Sequence, residues 1–280
     1  MLTRAQILAF RRHTGALDER LPRGRRSLRR AAWAGLQDSM PRAALLSIHA
    51  RVERTKPSTW EDSSLVQIWG PRYHAYVIPT RDLAVFSLGR LPDEGGALRV
   101  AEDLAARLHR HLRGTRIAYG DAGTALGGHP NRLTYAAPTG TVLIRWDGAR
   151  RPIVWTVPRP KVDPRDARLE LARRYLHIFG PTTRTPISDS WILTSDEPTL
   201  RAAARPPASA RLLPSGDTYY LLQGRDRQLL VPRTSSRRAL WTPRVWPGAV
   251  LVEGEIAGTW RRSVGTVTIQ TWRCRYALTT

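Results

Sequence analysis

Gln37, Asp38 and Ser39 put an amide, a carboxyl and a hydroxyl on three consecutive residues. Amide and carboxyl oxygens accept a water's hydrogen bonds and can fix its position. A carboxylate adds general-base and electrostatic help. These are the parts of a hydrolytic site. The same residues stand just before Pro41 and an apolar stripe at Leu45, Ile48 and Val52. There, Ser39 or Asp38 reads as the N-cap of a helix with proline in its first turn. The residues alone leave chemistry and capping both open.

The elements that must hold this stretch come in a repeating order. "TRAQILAFRRH" and "SLRRAAWAGL" read as helices, with Thr3 a cap for the first and Ser27 at the head of the second. "LVQIWGPRYHAYVIPTRDLAVFSLG" then changes to short β-type runs broken by Gly70-Pro71 and Pro79. Helices followed by a small hairpin is the pattern of a winged helix. "ALRVAEDLAARLHRHLRG" is a strongly amphipathic helix, and Thr141–Trp146 and Pro152–Val157 form a hairpin across Asp147-Gly148. A third helical unit opens at Asp163, as N-cap, and Pro164. The tail is a series of short strands that reads as a small antiparallel barrel. The expected class is α+β, with tandem winged-helix units and a small C-terminal β-barrel. The expected divisions are winged helix 1 over 1–96, winged helix 2 over 97–160, a third winged-helix-like unit over 161–207 and the barrel over 208–280.

Charge narrows the partner. The 280 residues carry a net +22, and all but two of the 45 basic residues, Lys56 and Lys161, are arginine. A field of that size favours polyanions such as nucleic acid. The basic residues recur along the whole chain, which suggests long grooves rather than an appended arm. No apolar run of 18 residues predicts a membrane span, and the N-terminus has no signal-peptide pattern. Cys274 is the one cysteine, which excludes an intrachain disulfide and a cysteine-built metal cage. The seven histidines are scattered, His109-Arg110-His111 lacks i,i+4 spacing, and there is no H-E-x-x-H. No metal, no cofactor, a cytoplasmic location and a monomer are expected.

"GLQDS" before a helix, "VQIWGPR" leading into a wing, "ARRYLHIFGP", "LLPSGDTYYLLQGRDRQLL" and "GEIAGTWRR" together resemble the bacterial AlkZ-like DNA glycosylases. The likeness runs along nearly the whole chain. It implies three winged-helix units and a β-barrel embracing duplex DNA, and the release of alkylated purines in base excision repair. The family's catalytic signature is a glutamine, an intervening residue, then a second glutamine or an aspartate. Gln37 matches the first position; Ser39 stands at the third, and Asp38 falls between.

An N7-alkylated purine already carries positive charge and leaves without protonation. The enzyme must stabilise an oxocarbenium-like sugar and place a water at the anomeric carbon. Gln37 and Asp38 jointly holding that water, with Ser39 capping the helix, is one assignment. If side chains alternate instead, Asp38 faces away and the work falls to Gln37 and Ser39. For DNA contact the candidates are Arg145, Arg150 and Arg151 at the second hairpin's tip, and Asn131 and Arg132 in "HPNRLTY", where a recognition helix could start. Arg72 and Arg116 complete the set. Tryptophans such as Trp60, Trp69 and Trp155 read mainly as core, with one or two available to stack on an extruded base. The alternative function is a winged-helix DNA-binding protein without catalysis, for damage recognition or regulation. An open cleft at Gln37-Asp38-Ser39 favours the enzyme; a buried cap favours the binder.

Overall fold

Helix starts follow their caps. The Thr3 hydroxyl accepts the Gln6 N–H at 3.2 Å, and the Gln6 side chain accepts the Thr3 N–H at 2.9 Å. This reciprocal pair satisfies two donors that a helix start leaves over. The Asp163 carboxylate likewise accepts the Arg165 N–H at 2.7 Å ahead of a proline-led helix. The computed structural model describes residues 2–38, 40, 42–147, 151–183, 190–202 and 209–272.

In chain order the elements are α1 (Arg4–Thr14), α2 (Arg25–Ala31), β1 (Leu36–Gln37), α3 (Ala43–Arg51), β2 (Leu65–Trp69), β3 (Ala75–Pro79), α4 (Leu83–Ser87) and α5 (Gly95–Leu112). Next come β4 (Ile117–Ala118), α6 (Tyr119–Ala125), β5 (Val142–Arg145), β6 (Ile153–Thr156), α7 (Pro164–Phe179), β7 (Thr182–Thr183) and β8 (Ser190–Trp191). The last are α8 (Glu197–Arg201), β9 (Arg211–Leu213), α9 (Gly224–Leu230), α10 (Thr234–Leu240), β10 (Gly248–Val252), β11 (Glu255–Ser263) and β12 (Thr266–Thr271). The class is α+β, as expected.

Two compact units result. One comprises Leu28–Ala44 and Lys56–Arg174. It holds a six-stranded sheet in the order β1-β3-β2-β5-β6-β4. The hairpins β2–β3 and β5–β6, read as separate wings, are here joined edge to edge through Gln67 opposite Ile144. α5 buries Ala101, Leu104, Ala105, Leu108 and Leu112, a stripe at helical spacing. Leu104, Leu108 and Leu112 pack with Leu133, Ile144 and Val154 into one core. Each such side chain stabilises by roughly 1.5–3 kcal/mol when fully buried. The expected recognition helix in "HPNRLTY" is a 3₁₀ segment, Pro130–Thr139. Pro138 inside it removes a donor that a continuous α-helix needs.

The other unit comprises Met1–Ser27, Leu45–Thr55 and Tyr175–Thr280. Its core joins Leu8, Leu17, Tyr220, Leu240 and Leu251. Its main sheet has the order β12-β11-β10-β9. This corrects the expected barrel: among the described residues the sheet is open, with β9 and β12 at opposite edges. β12 is exposed along its whole length, so it has no second face to close against. Beneath this unit's surface lies a buried ion pair. The Arg51 guanidinium donates to both Asp217 oxygens at 2.7 and 2.8 Å, and the Ser47 hydroxyl and Tyr219 N–H complete the carboxylate's shell at 2.6 and 2.9 Å.

Among the described residues no helix is long and apolar enough to cross a membrane, and no group of three His, Cys, Asp or Glu side chains could hold a metal ion.

Candidate functional site

β1 is only two residues long, and its pairing decides where the opening stretch points. Leu36 lies opposite Val77 and Gln37 opposite Tyr76. Beyond β1, the Asp38 N–H continues the ladder to the Ala75 carbonyl at 2.7 Å. Val77 stands opposite Gln67, and Tyr76 opposite Ile68. Side chains alternate along a strand. Gln37, Tyr76 and Ile68 therefore share one face of the sheet. Leu36, Asp38, Val77, Gln67 and Ile144 share the other. Gln37 and Asp38, adjacent in sequence, face opposite ways.

On the first face, the Tyr76 hydroxyl donates to Gln37 Oε1 at 3.3 Å. Burial pushes that hydroxyl up to about 12, against the pull of Arg72 and Arg90, so it keeps its proton and its role as donor. Gln37 is half-buried. Gly70 makes room for the tyrosine: a Cβ there would sit 2.3 Å from the Tyr76 ring.

On the second face, Asp38 is 1% exposed. One carboxylate oxygen accepts the Ala44 N–H at 3.0 Å. The other accepts Gln67 Nε2 at 2.7 Å. Burial pushes the carboxyl up from 3.8 to about 6, against the Ala44 N–H, the Gln67 amide, the Ala43 N–H and the Arg145 charge. Asp38 is thus the cap of α3 and also the partner of a buried amide. Gln67 is locked in turn: its Oε1 accepts the Trp146 N–H at 2.6 Å, and its Nε2 reaches the Trp146 carbonyl at 3.3 Å. The first sequence assignment, with Gln37 and Asp38 on one water, fails on strand alternation. Ser39 lies outside the described residues.

Above the second face opens a cavity of about 440 Å³, walled by Trp69, Tyr73, Tyr119, Tyr135 and Trp146. Asn131 lines it too, and accepts the Tyr119 hydroxyl at 2.6 Å. Tyr73 and Tyr135 meet edge to face with centroids 5.1 Å apart, and Trp69 lies 5.4 Å from Tyr119. Burial and the Arg72 charge pull the ring of His74, also at the cavity, below its usual range.

The arginine candidates are spread over this unit. Arg72 is exposed in the loop between β2 and β3, in left-handed backbone at φ 55. Arg116 is exposed and stacks 4.5 Å above the Trp155 ring. Arg132 and Arg151 are exposed. Arg145 is not at the hairpin tip. It ends β5, half-buried, 3.8 Å over the Trp60 ring and 3.9 Å from Glu61, because a guanidinium stacks well on indole. Arg150 and the tip of that hairpin lie outside the described residues.

Sequence reasoning missed Gln67, Tyr76 and the meeting of the aromatics, of which it singled out Trp69 alone, as core or as a stacking surface. Gln67 had a readable signal: it is the one polar residue in the apolar run "LVQIW". The aromatics had none, since their positions run from 69 to 146 and each reads singly as core.

The chain matches the family model described as DNA glycosylase AlkZ-like, over residues 29–204 and 190–276. The solved structure of Streptomyces sahachiroi DNA glycosylase AlkZ superposes with a TM-score of 0.75 at 16% identity, covering 98% of this chain and 92% of that one. No curated protein sequence matches.

Proposed function

The chain belongs to the AlkZ-like DNA glycosylase family, and from that premise we propose that it hydrolyses the N-glycosidic bond of alkylated purines in duplex DNA. The observation that carries this reading is the mounting of Gln37. Main-chain pairing to β3 and the Tyr76 hydroxyl fix its amide, and positioning is what this hydrolysis most needs. An N7-alkylated purine leaves as a neutral base, so no acid has to protonate it. Gln37 orients the water at the anomeric carbon. Asp38 does not touch that water. It is a positioning residue, tying the start of α3 and Gln67 to the strand that bears Gln37. Arg72, Arg116, Arg132 and Arg151, with Arg150, take the phosphates, and Asn131 adds a polar contact. The tandem winged-helix arrangement belongs to the same proposal.

One observation favours a second reading. Asp38 is a buried cap, the setting expected of a DNA-binding protein that does no chemistry. Single-turnover base release from duplex DNA carrying N7-methylguanine separates the two. Lesion-dependent release that drops at least about tenfold in Gln37→Ala, equivalent to about 1.4 kcal/mol of barrier, is the expected result. Equal release by the wild type and Gln37→Ala would remove Gln37 from the chemistry, and salt-sensitive duplex binding with no release would leave the binder.

A further inference from the structure

We propose that Arg20 and Arg211, in the unit that does not carry Gln37, form a phosphate-binding site that a phosphodiester of the bound duplex fills. The site stands on its own geometry, and only its assignment to duplex DNA rests on the glycosylase reading.

Three segments of the chain bring the groups together. Leu17, Ala50 and Leu213 share one core. Arg20 comes shortly after Leu17, in a stretch fastened to the end of α3. There the Leu21 N–H donates to the Arg51 carbonyl at 2.8 Å, and the Glu53 N–H donates to the Leu21 carbonyl at 2.9 Å. His49 directly precedes Ala50. Arg211 opens β9, and alternation along the strand puts its side chain on the same face as the buried Leu213. Its aliphatic stem is thereby drawn over the edge of the core, and the residue is half-buried. Arg20 is exposed, and its charge bears on both neighbours. Burial first, and then Arg20, pull the His49 ring and the Arg211 guanidinium below their usual ranges.

What this cluster lacks is an anion. The unit's buried arginines are matched: Arg11 meets Asp226, Arg12 meets Asp18 and Arg51 meets Asp217. Arg11 Nη1 is unbonded, but Asp226 answers its charge and three carbonyls take its other nitrogens. Arg211 has only the carbonyl of its neighbour Ala210, 3.0 Å from Nη1. Its Nε is buried without a partner, although a buried donor is costly to leave unmade. Among the described residues no carboxylate forms an ion pair with Arg20 or Arg211. Two guanidinium groups so placed repel each other and raise the local positive potential. A phosphate removes both costs. Its oxygens accept charge-assisted hydrogen bonds from both side chains, and the planar fork of arginine matches its geometry. The orphaned Arg211 Nε is the donor that such a ligand completes.

The test reads how the affinity for an unmodified duplex depends on salt. Log affinity falls against log salt with a slope of about 0.9 per phosphate contacted. The double variant Arg20→Gln, Arg211→Gln is expected to flatten that slope by about 1 and to weaken binding about fivefold or more at physiological salt. Arg20→Gln alone, at an exposed position where the core is not disturbed, should show part of the same loss. Arg201→Gln removes an arginine of the same unit that is already paired with Glu197, and should leave the slope as it is. Inorganic phosphate, added at constant ionic strength, separates the two sources of the ligand. If the slope does not move, but phosphate raises the Tm of the wild type and not that of the double variant, the site stands and holds a free phosphate. An unchanged slope with no response to phosphate overturns the proposal, and so does an equal loss in Arg201→Gln. A flattened slope in the double variant of a protein that releases no base from N7-methylguanine duplex would remove the glycosylase reading and leave the phosphate site standing.

Discussion

Arg51→Met is expected to lower the unfolding free energy at pH 7 by about 3–5 kcal/mol, the usual effect of stranding one member of a buried ion pair. Arg51 and Asp217 have side chains 2% and 0% exposed. Burial alone would raise the Asp217 carboxyl, but the Arg51 charge and its hydrogen bonds, with those from Ser47 and Tyr219, hold it below the usual range. The pair's contribution is therefore present at neutral pH and is lost only as pH falls through that depressed value. Removing Arg51 leaves a carboxylate in the core with two of its donors gone. It also strips the Gly15 carbonyl of the Arg51 Nε donor at 2.8 Å. Urea denaturation gives the number, and a loss under 1 kcal/mol would sink the argument. The double variant Arg51→Met, Asp217→Leu tests the same point from the other side. It removes the stranded charge, but the Tyr219 N–H and Gly15 carbonyl stay unmatched, at roughly 1–3 kcal/mol each. It should recover part of the loss and remain at least about 2 kcal/mol below the wild type.

What could be read from the sequence was what is local. α5 follows from its apolar spacing, α7 from Asp163 and Pro164, and the β5–β6 hairpin from two β-rich runs either side of a turn. β1 was not readable. "LQ" has no strand signal of its own, and becomes a strand because β3, almost forty residues on, offers it a ladder. That one pairing settles the main ambiguity of the site, because it sends Gln37 and Asp38 to opposite faces. The open sheet in place of a barrel has a similar cause: short alternating runs predict strands but not whether the first meets the last. The 3₁₀ segment Pro130–Thr139 was hidden differently. Its apolar residues and leading proline suit a helix, and only Pro138 weighs against a regular one. Gln37 and Asp38 could be found from residue type and position, whereas the cavity is a product of the fold, built where distant rings meet over a buried amide.

That buried amide and its carboxylate give the second large effect, with a sign opposite to the common one. Asp38 has a folded-state value of about 6 against 3.8 ordinarily. Between those values the native state binds more protons than the unfolded chain, so stability falls as pH rises through the window. The full swing is roughly 3 kcal/mol, at about 1.36 kcal/mol per unit. Glu170 behaves the other way: Arg173 first, then Arg174, hold it down to about 2, and its contribution is lost only in acid. Asp38→Asn removes the titration and adds a clash of donors. The Gln67 amide cannot turn to meet the new NH₂, because its Oε1 is committed to the Trp146 N–H. A protonated aspartate avoids this clash, since its oxygens still accept. The variant should therefore be about 1–3 kcal/mol less stable than the wild type near pH 4.5. The deficit should shrink towards pH 7.5, where the wild type carries the cost of an ionised buried carboxylate and the variant does not. Denaturation curves at the two pH values decide the matter. A deficit that grows with pH would mean that the Ala44 N–H and the Gln67 amide outweigh burial. Asp38 would then be an ordinary, stabilising cap rather than a carboxylate held near neutrality beneath the cavity.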